Sequence, residues 1–349
     1  VTTATITVLQ AGHAVVQDLG RPGLGRVGLI ANGASDQYSA VVANTLVGNP
    51  AAAPLLEVTG SALGLRCSAP VLVAATGAMN HIFMDGVRHP AGEPLLVGVG
   101  QLLTVPSPTA GLRSYLAFNG QLVSVPVLGS VAPDPLLGVS RRLHAGDELE
   151  IESVFESLDH PCSQFPFFRL GAPQQTFSHS AVIEMTAGPE AGQFASGIVG
   201  SEQTYTVSPQ SDYVGLRLRG PTPPRTVGGE MLSRGVPVGA IEVPPGGGLL
   251  VLLRGRLLVA GYPVIGVATT TAVDRLAQLA PGDSVTFRLS DVTDAIRAVR
   301  ARDRMLRELA ERVGVVFRST GLGHIVHAGH LSRVSDGISC RHINRGDIE

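Results

Sequence analysis

The segments Arg142-Leu-His-Ala-Gly-Asp-Glu-Leu-Glu-Ile151 and Leu279-Ala-Pro-Gly-Asp-Ser-Val-Thr-Phe287 each carry a Gly-Asp turn followed by alternating apolar and polar residues. Glycine supplies the positive φ of a tight turn, and aspartate accepts hydrogen bonds from nearby backbone. Alternation with a period of two marks a strand that turns one face to a core. Earlier in each half a strand runs into Ala11-Gly12 and Ala187-Gly188. Together these landmarks predict one β unit over residues 5–146 and a second over 181–282, with an insertion of about 40 residues in the first.

Working outward, short strands bounded by Gly, Pro, Asn or Asp are expected at 4–9, 71–75, 101–105, 149–151, 182–185, 216–218, 249–253 and 284–289. The 43 glycines and 24 prolines supply the turns that so many short strands need, and argue against a helical bundle. Two helices interrupt the pattern. The first, 36–47, has Ser35 as its expected N-cap, one apolar face of Tyr38, Val41, Val42 and Leu46, and a stop at Gly48-Asn49-Pro50. The second, 292–313, repeats Val292, Ile296, Val299, Leu306, Leu309 and Val313 before Gly314. The expected organisation is a domain at 1–157, a linker at 158–180, a domain at 181–290, a helix at 291–314 and an irregular tail at 315–349.

The net charge of −2 and pI of about 6.6 give no basic field for a nucleic acid or an anionic membrane, which leaves small molecules and other proteins as partners. No apolar run is long enough to span a bilayer. All 26 basic residues are arginine. Without lysine there is no phosphate loop of the Walker type, no Schiff base and no Ser-x-x-Lys hydrolase, and any biotin must be carried by another chain or domain. Cys67, Cys162 and Cys340 are too far apart in sequence for a zinc knuckle or disulfide framework, and the first eight residues lack the apolar core of a secretory signal. A cytoplasmic protein is expected. His324, His327, His330 and His342 have a suggestive spacing, but Gly321, Gly323 and Gly329 oppose the helix a metal site would need, and no metal is expected.

The densest polar segment is Gln17-Asp-Leu-Gly-Arg-Pro-Gly-Leu-Gly-Arg-Val-Gly-Leu-Ile-Ala-Asn-Gly-Ala-Ser-Asp36. Its glycines permit close backbone approach, and Gln17, Asp18, Arg21, Asn32 and Asp36 supply polar heads; tight turns with a local Asp18–Arg21 pair would account for it equally. Glu57, Glu184 and Glu242 each stand alone in an apolar strand. Glu57 is suited either to proton transfer or to a structural pair with an arginine across the sheet.

Several motifs in order resemble the biotin-dependent carboxyltransferase family, also called allophanate hydrolase subunit 2, KipA or the C subunit of 5-oxoprolinase. They include Gln17-Asp-x-Gly-Arg-x-Gly23, Asn32-Gly-Ala-x-Asp36, Leu56-Glu-x-Thr59, Gly111-x-Arg-x-Tyr-Leu-Ala117, Glu230-Met-Leu-Ser233, Gly261-Tyr-Pro263 and Arg275-Leu-Ala-Gln-Leu-x-Pro-Gly-Asp283. The resemblance implies a mainly β chain of two cyclophilin-like β-barrel domains with a few helices. It implies one component of an ATP-dependent 5-oxoprolinase working with a KipI-like B subunit and a third, LamB/YcsF-like subunit, ATP being used with those partners. The alternatives are carboxyl transfer from carboxybiotin to urea, with biotin on another chain, or a non-catalytic KipA-like module that binds a KipI-like partner. Three segments depart from the family pattern: Gly129-Ser-Val-Ala-Pro133, Ser211-Asp-Tyr-Val-Gly215 and Val259-Ala-Gly-Tyr-Pro263.

The segment before the first helix is expected to hold a small anionic or carbonyl ligand at the positive helix N-terminus. Asp18, Arg21 and Asp36 are the expected catalytic residues, with Arg21 orienting a carboxylate. Gln17 and Asn32 would bind substrate, and Tyr262 would close the cleft from the second domain.

Overall fold

The computed structural model describes residues 2–153, 169–195, 203–323 and 326. Strand Thr2–Gln10 turns Ala4, Ile6 and Val8 inward and lies between Glu148–Ser153 and Leu63–Cys67, antiparallel to both. These three strands belong to a seven-stranded sheet that continues through Leu102–Val105, His81–Met84 and Val87–Pro90, with Gln121–Leu122 at the other edge. A second sheet orders Ala14–Gln17, Leu55–Thr59, Arg113–Phe118, Val71–Gly77 and Pro94–Val97. Ile6, Leu65, Val73, Leu103 and Phe118 from both sheets form one core.

The second unit closes completely, as a seven-stranded barrel around Ile183, Ile241, Val251, Val285 and Phe287. Its strand Ser180–Ala187 runs parallel to Ser284–Leu289 and antiparallel to Val264–Ala268. All eight strands expected from the sequence overlap strands of the structure.

The Gly-Asp turn is a true structural repeat. Gly146 N–H donates to the Val8 carbonyl and Val8 N–H to that of Asp147, each at 2.8 Å; Gly282, Val207 and Asp283 repeat the pair at 2.9 and 2.8 Å. In both turns the aspartate Oδ2 accepts an amide three residues earlier, from His144 and from Ala280, at 2.8 Å. The turn's own hydrogen bonds in the second unit go to Thr204–Val207, however, while the strand before Ala187-Gly188 pairs with the strand after the turn in parallel rather than antiparallel. Alternation identifies a strand but not its neighbour, which only the hydrogen bonds reveal.

Three helices complete the fold. Helix α1 spans Gln37–Leu46, and its N-cap is Asp36 rather than Ser35, because the Asp36 carboxylate takes the Ser39 amide while the Ser35 amide is drawn to Glu57. Helix α2, Thr270–Leu276, is one the sequence pattern conceals; Thr269, Thr270 and Thr271 are β-branched and read as a continuing strand. Helix α3 spans Val292–Ser319 and runs through Gly314, the stop expected from the sequence. Phe317, one turn further on, is fully buried and holds that last segment in helical register. Residues of the expected linker at 154–168, and of the tail beyond 323 except Val326, lie outside the described residues, as do His324, His327, His330 and His342.

Helix α3 follows the barrel in sequence but packs on the first unit. Leu306, Leu309, Ala310, Val313 and Phe317 join Tyr38, Val41 and Leu46 of α1 and the outward faces of Leu72, Ala74, Tyr115 and Ala117 in a single cluster. The sheet is thereby buried on both faces.

The units meet at residues 33–37. Tyr213 Oη donates to the Gly33 carbonyl at 2.8 Å, Arg254 Nε to that of Ser35 at 3.2 Å, and Gln278 Nε2 to Asp36 Oδ2 at 2.8 Å. The Gln37 amide donates to Asp274 Oδ1 at 3.1 Å. Asp274 also takes Arg254 at 3.0 Å and Arg302 of α3 at 2.6 Å. Gly33 has a φ of +91°, and a Cβ there would lie 2.4 Å from the Leu19 carbonyl carbon, so only glycine fits. Burial, and then the nearby Asp274 carboxylate, push Asp36 up to about 6 against the opposing hydrogen bonds from Gln278 and Ser39.

Two outcomes are expected. Leu309→Ala should cost about 2–5 kcal/mol in denaturant unfolding, whereas Val315→Ala, exposed on the same helix, should stay within about 0.5 kcal/mol. Because Asp36 binds its proton more tightly when folded, its contribution is most favourable below about pH 4 and is lost as the pH rises through about 6. Asp36→Asn keeps an oxygen for the Ser39 cap and should remove that decline. Parallel stability profiles of the two proteins from pH 4 to 7 would refute the assignment.

Candidate functional site

A cleft of about 500 Å³ opens between the two units. The five-stranded sheet contributes Gln17, Glu57 and Arg113; the second unit contributes Asp212, Tyr213 and Leu279; Pro133, Pro135, His13 and Arg142 complete the walls. Most of the lining is apolar, as befits a small-molecule site with a few fixed polar groups.

Glu57 and Arg113 are both buried and form its charged pair, Arg113 Nε lying 3.8 Å from Glu57 Oε1. Their strands are antiparallel neighbours, with Tyr115 opposite Glu57. Glu57 Oε2 is saturated by the Ser35 amide at 2.9 Å and the Tyr115 hydroxyl at 2.8 Å. Oε1 has only a long contact, 3.4 Å from Ser35 Oγ, besides Arg113. It keeps capacity to accept a further N–H. Burial, reinforced by the Glu57 charge, pushes the Tyr115 phenol well above its usual range, so its hydroxyl remains a donor. Arg113 Nη1 donates to the Ala277 carbonyl across the unit boundary, while its buried Nε has no hydrogen-bond partner.

Of the residues expected to form the site, Gln17 lines the cleft. Asp18, Arg21 and Asn32 converge instead behind one wall, where they fasten the segment 127–134. Arg21 reaches Asp134 at 3.1 Å, the Ala132 carbonyl at 2.6 Å and that of Val127 at 3.3 Å. Asn32 Nδ2 joins Asp134 at 2.8 Å. Asp18 accepts from Ser130 Oγ at 2.6 Å, the Val131 amide at 2.8 Å and the Gly20 amide at 2.7 Å. The partner of Arg21 is therefore Asp134, not Asp18, and its guanidinium is occupied by protein oxygens rather than turned to a ligand. These residues shape the cleft indirectly, since Pro133 and Pro135 on the fastened segment form part of its wall.

The α1 N-terminus is likewise filled, by Asp36 itself and by Asp274. Tyr262 does not close the cleft. It is half-exposed in a separate hollow of about 530 Å³ in the second unit, with Phe194, Met231 and Pro244. Tyr213 stands at the boundary in its place, its hydroxyl kept protonated by burial. Glu184 pairs with Arg288 at 2.7 Å on the surface. Burial pushes Glu242 up to about 7, but it lies outside the cleft lining.

The residue pattern marks Glu57 without singling it out; Arg113, Tyr213 and Gln278 fall within the motif segments 111–117, 211–215 and 275–283, but nothing local in those segments assigns the three a role. Glu57 is the most visible of the four, as a carboxylate in an apolar strand. Of the three segments that depart from the family pattern, 129–133 and 211–215 border this cleft, and 259–263 borders the hollow around Tyr262. Among the described residues no helix is long and apolar enough to cross a membrane.

The chain is 32% identical over 316 residues to the 5-oxoprolinase C subunit of Escherichia coli K12, covering 88% of this chain and 98% of that protein. It is 28% identical to urea amidolyase of Saccharomyces cerevisiae over 82% of this chain and 16% of that much longer one. The crystal structure of Kluyveromyces lactis urea carboxylase superposes with a TM-score of 0.78 at 25% identity, over 87% of this chain and 29% of that one. These relatives are components of enzymes. The family described as carboxyltransferase domain, subdomain A and B, matches residues 27–289, and the chain belongs to that family.

Proposed function

We propose that the chain is the C subunit of an ATP-dependent 5-oxoprolinase, which opens the lactam of 5-oxoproline to glutamate and is inactive without its partner subunits. The observation that carries this reading is the buried Glu57–Arg113 pair in a cleft of small-molecule size, in a chain matched over nearly its whole length by a 5-oxoprolinase C subunit. Ring opening adds water across an amide C–N bond. Glu57 Oε1 accepts the lactam N–H, Arg113 supplies positive charge beside it, and Arg142, exposed at the rim, meets the substrate carboxylate.

ATP belongs with the partners, a KipI-like B subunit and a LamB/YcsF-like subunit. Arg21 is committed to protein oxygens, Arg113 is buried with its Nη1 held by the Ala277 carbonyl, Arg142 at the rim is no cradle for a triphosphate by itself, and the chain has no lysine. An enzyme that consumes ATP in this way works in the cytoplasm.

The second reading, carboxyl transfer to urea or a related amide, draws support from the likeness to urea carboxylase. Glu57 would accept a urea N–H equally well, and the biotin would arrive on another chain. A purely binding, KipA-like module would need neither Glu57 nor Arg113.

Glu57→Gln and Arg113→Ala, each assembled with the partner subunits, should lower 5-oxoproline-dependent glutamate release by about 100-fold while partner binding persists. Urea-dependent decay of carboxybiotin would favour the second reading. Full turnover by both variants would remove the cleft as the active site.

A further inference from the structure

We infer that Gln278, supplied by the second unit, is a positioning residue for the Arg113–Glu57 pair of the first, an inference that rests on the proposed use of the cleft. Gln278 is almost wholly buried, and its side chain makes four hydrogen bonds, all across the unit boundary. Its Oε1 accepts the amides of Leu112 at 3.0 Å and Arg113 at 2.8 Å. Its Nε2 donates to the Arg113 carbonyl at 2.9 Å and to Asp36 Oδ2 at 2.8 Å.

The primary amide thus grips the Arg113 backbone at both its N–H and its carbonyl, as a neighbouring strand would. Arg113 is the first residue of its strand, where the ladder gives least support. The carbonyl of Ala277, adjacent to Gln278, holds the guanidinium by Nη1. With backbone and Nη1 both fixed from the second unit, the remaining freedom of Arg113 is small, and its Nε is kept against Glu57 Oε1 without a hydrogen bond. The donor left unpartnered beside the carboxylate is therefore set by the second unit. The fourth bond, to Asp36, ties this grip to the α1 N-cap at the joint between the units.

Two variants, in the full chain assembled with its partners, test the inference. Gln278→Leu removes all four bonds. Gln278→Glu keeps the acceptor for the two amides and, once protonated, offers an O–H where the amide offered its N–H pair; when ionised it faces the Asp36 carboxylate. The leucine variant should lose at least tenfold in kcat/KM at every pH, and the amides of Leu112 and Arg113 should exchange hydrogen faster. The glutamate variant should work within about threefold of wild type at pH 5.5 and fall at least tenfold further by pH 8, a profile absent from the wild type.

A merely structural role would lower thermal stability but leave activity per folded molecule and the shape of the pH profile unchanged, and that result overturns the inference. Unchanged exchange at Leu112 and Arg113 in the leucine variant overturns it whatever the substrate is. If exchange quickens while Glu57→Gln and Arg113→Ala keep full turnover, the cleft is not the active site, and a positioning role for Gln278 in catalysis falls with it.

Discussion

The Asp274 carboxylate ties three parts of the chain that are far apart in sequence. One oxygen takes Arg254 of the barrel and the Gln37 amide of α1, and the other takes Arg302 of α3. A carboxylate withdrawn from water is costly unless every lone pair is used. Here two guanidiniums and a helix N-terminus use them. The cost of leaving this group unpaired holds the barrel, α1 and α3 in one arrangement. The cleft exists only in that arrangement, because its floor comes from one unit and Asp212, Tyr213 and Leu279 from the other.

Much of the fold could be read from residues with local consequences. Gly146-Asp147 and Gly282-Asp283 announce their turns because the hydrogen bonds that define them lie within three residues. The long amphipathic helix announces itself through Leu306, Leu309 and Val313. Which strand the turn pairs with, and which unit the helix covers, depends on contacts between positions distant in sequence, such as Val207 with Gly282 and Tyr115 with Phe317.

The site was harder to read, for a physical reason visible at Arg21 and Arg113. A glycine-rich segment with several polar heads serves a ligand pocket and a tightly packed joint equally well, since both need close backbone approach and directional bonds. In residues 17–36 most of those heads went to the joint and to the wall behind the cleft. Arg113 and Gln278 stand in motif segments 165 positions apart, and nothing local in either segment links the two. Only the fold brings them together, buried against each other.

The return of α3 to the first unit has a consequence for the order in which the protein is made. The N-terminal sheets emerge from the ribosome first, but the cluster that covers Leu72, Tyr115 and Ala117 is incomplete until Phe317 has been synthesised. Until then that sheet face is covered by α1 alone, while the barrel is synthesised in between. The second unit thus lies in sequence between two pieces of the first unit's core, and that core is complete only when the segment beyond the barrel has been made.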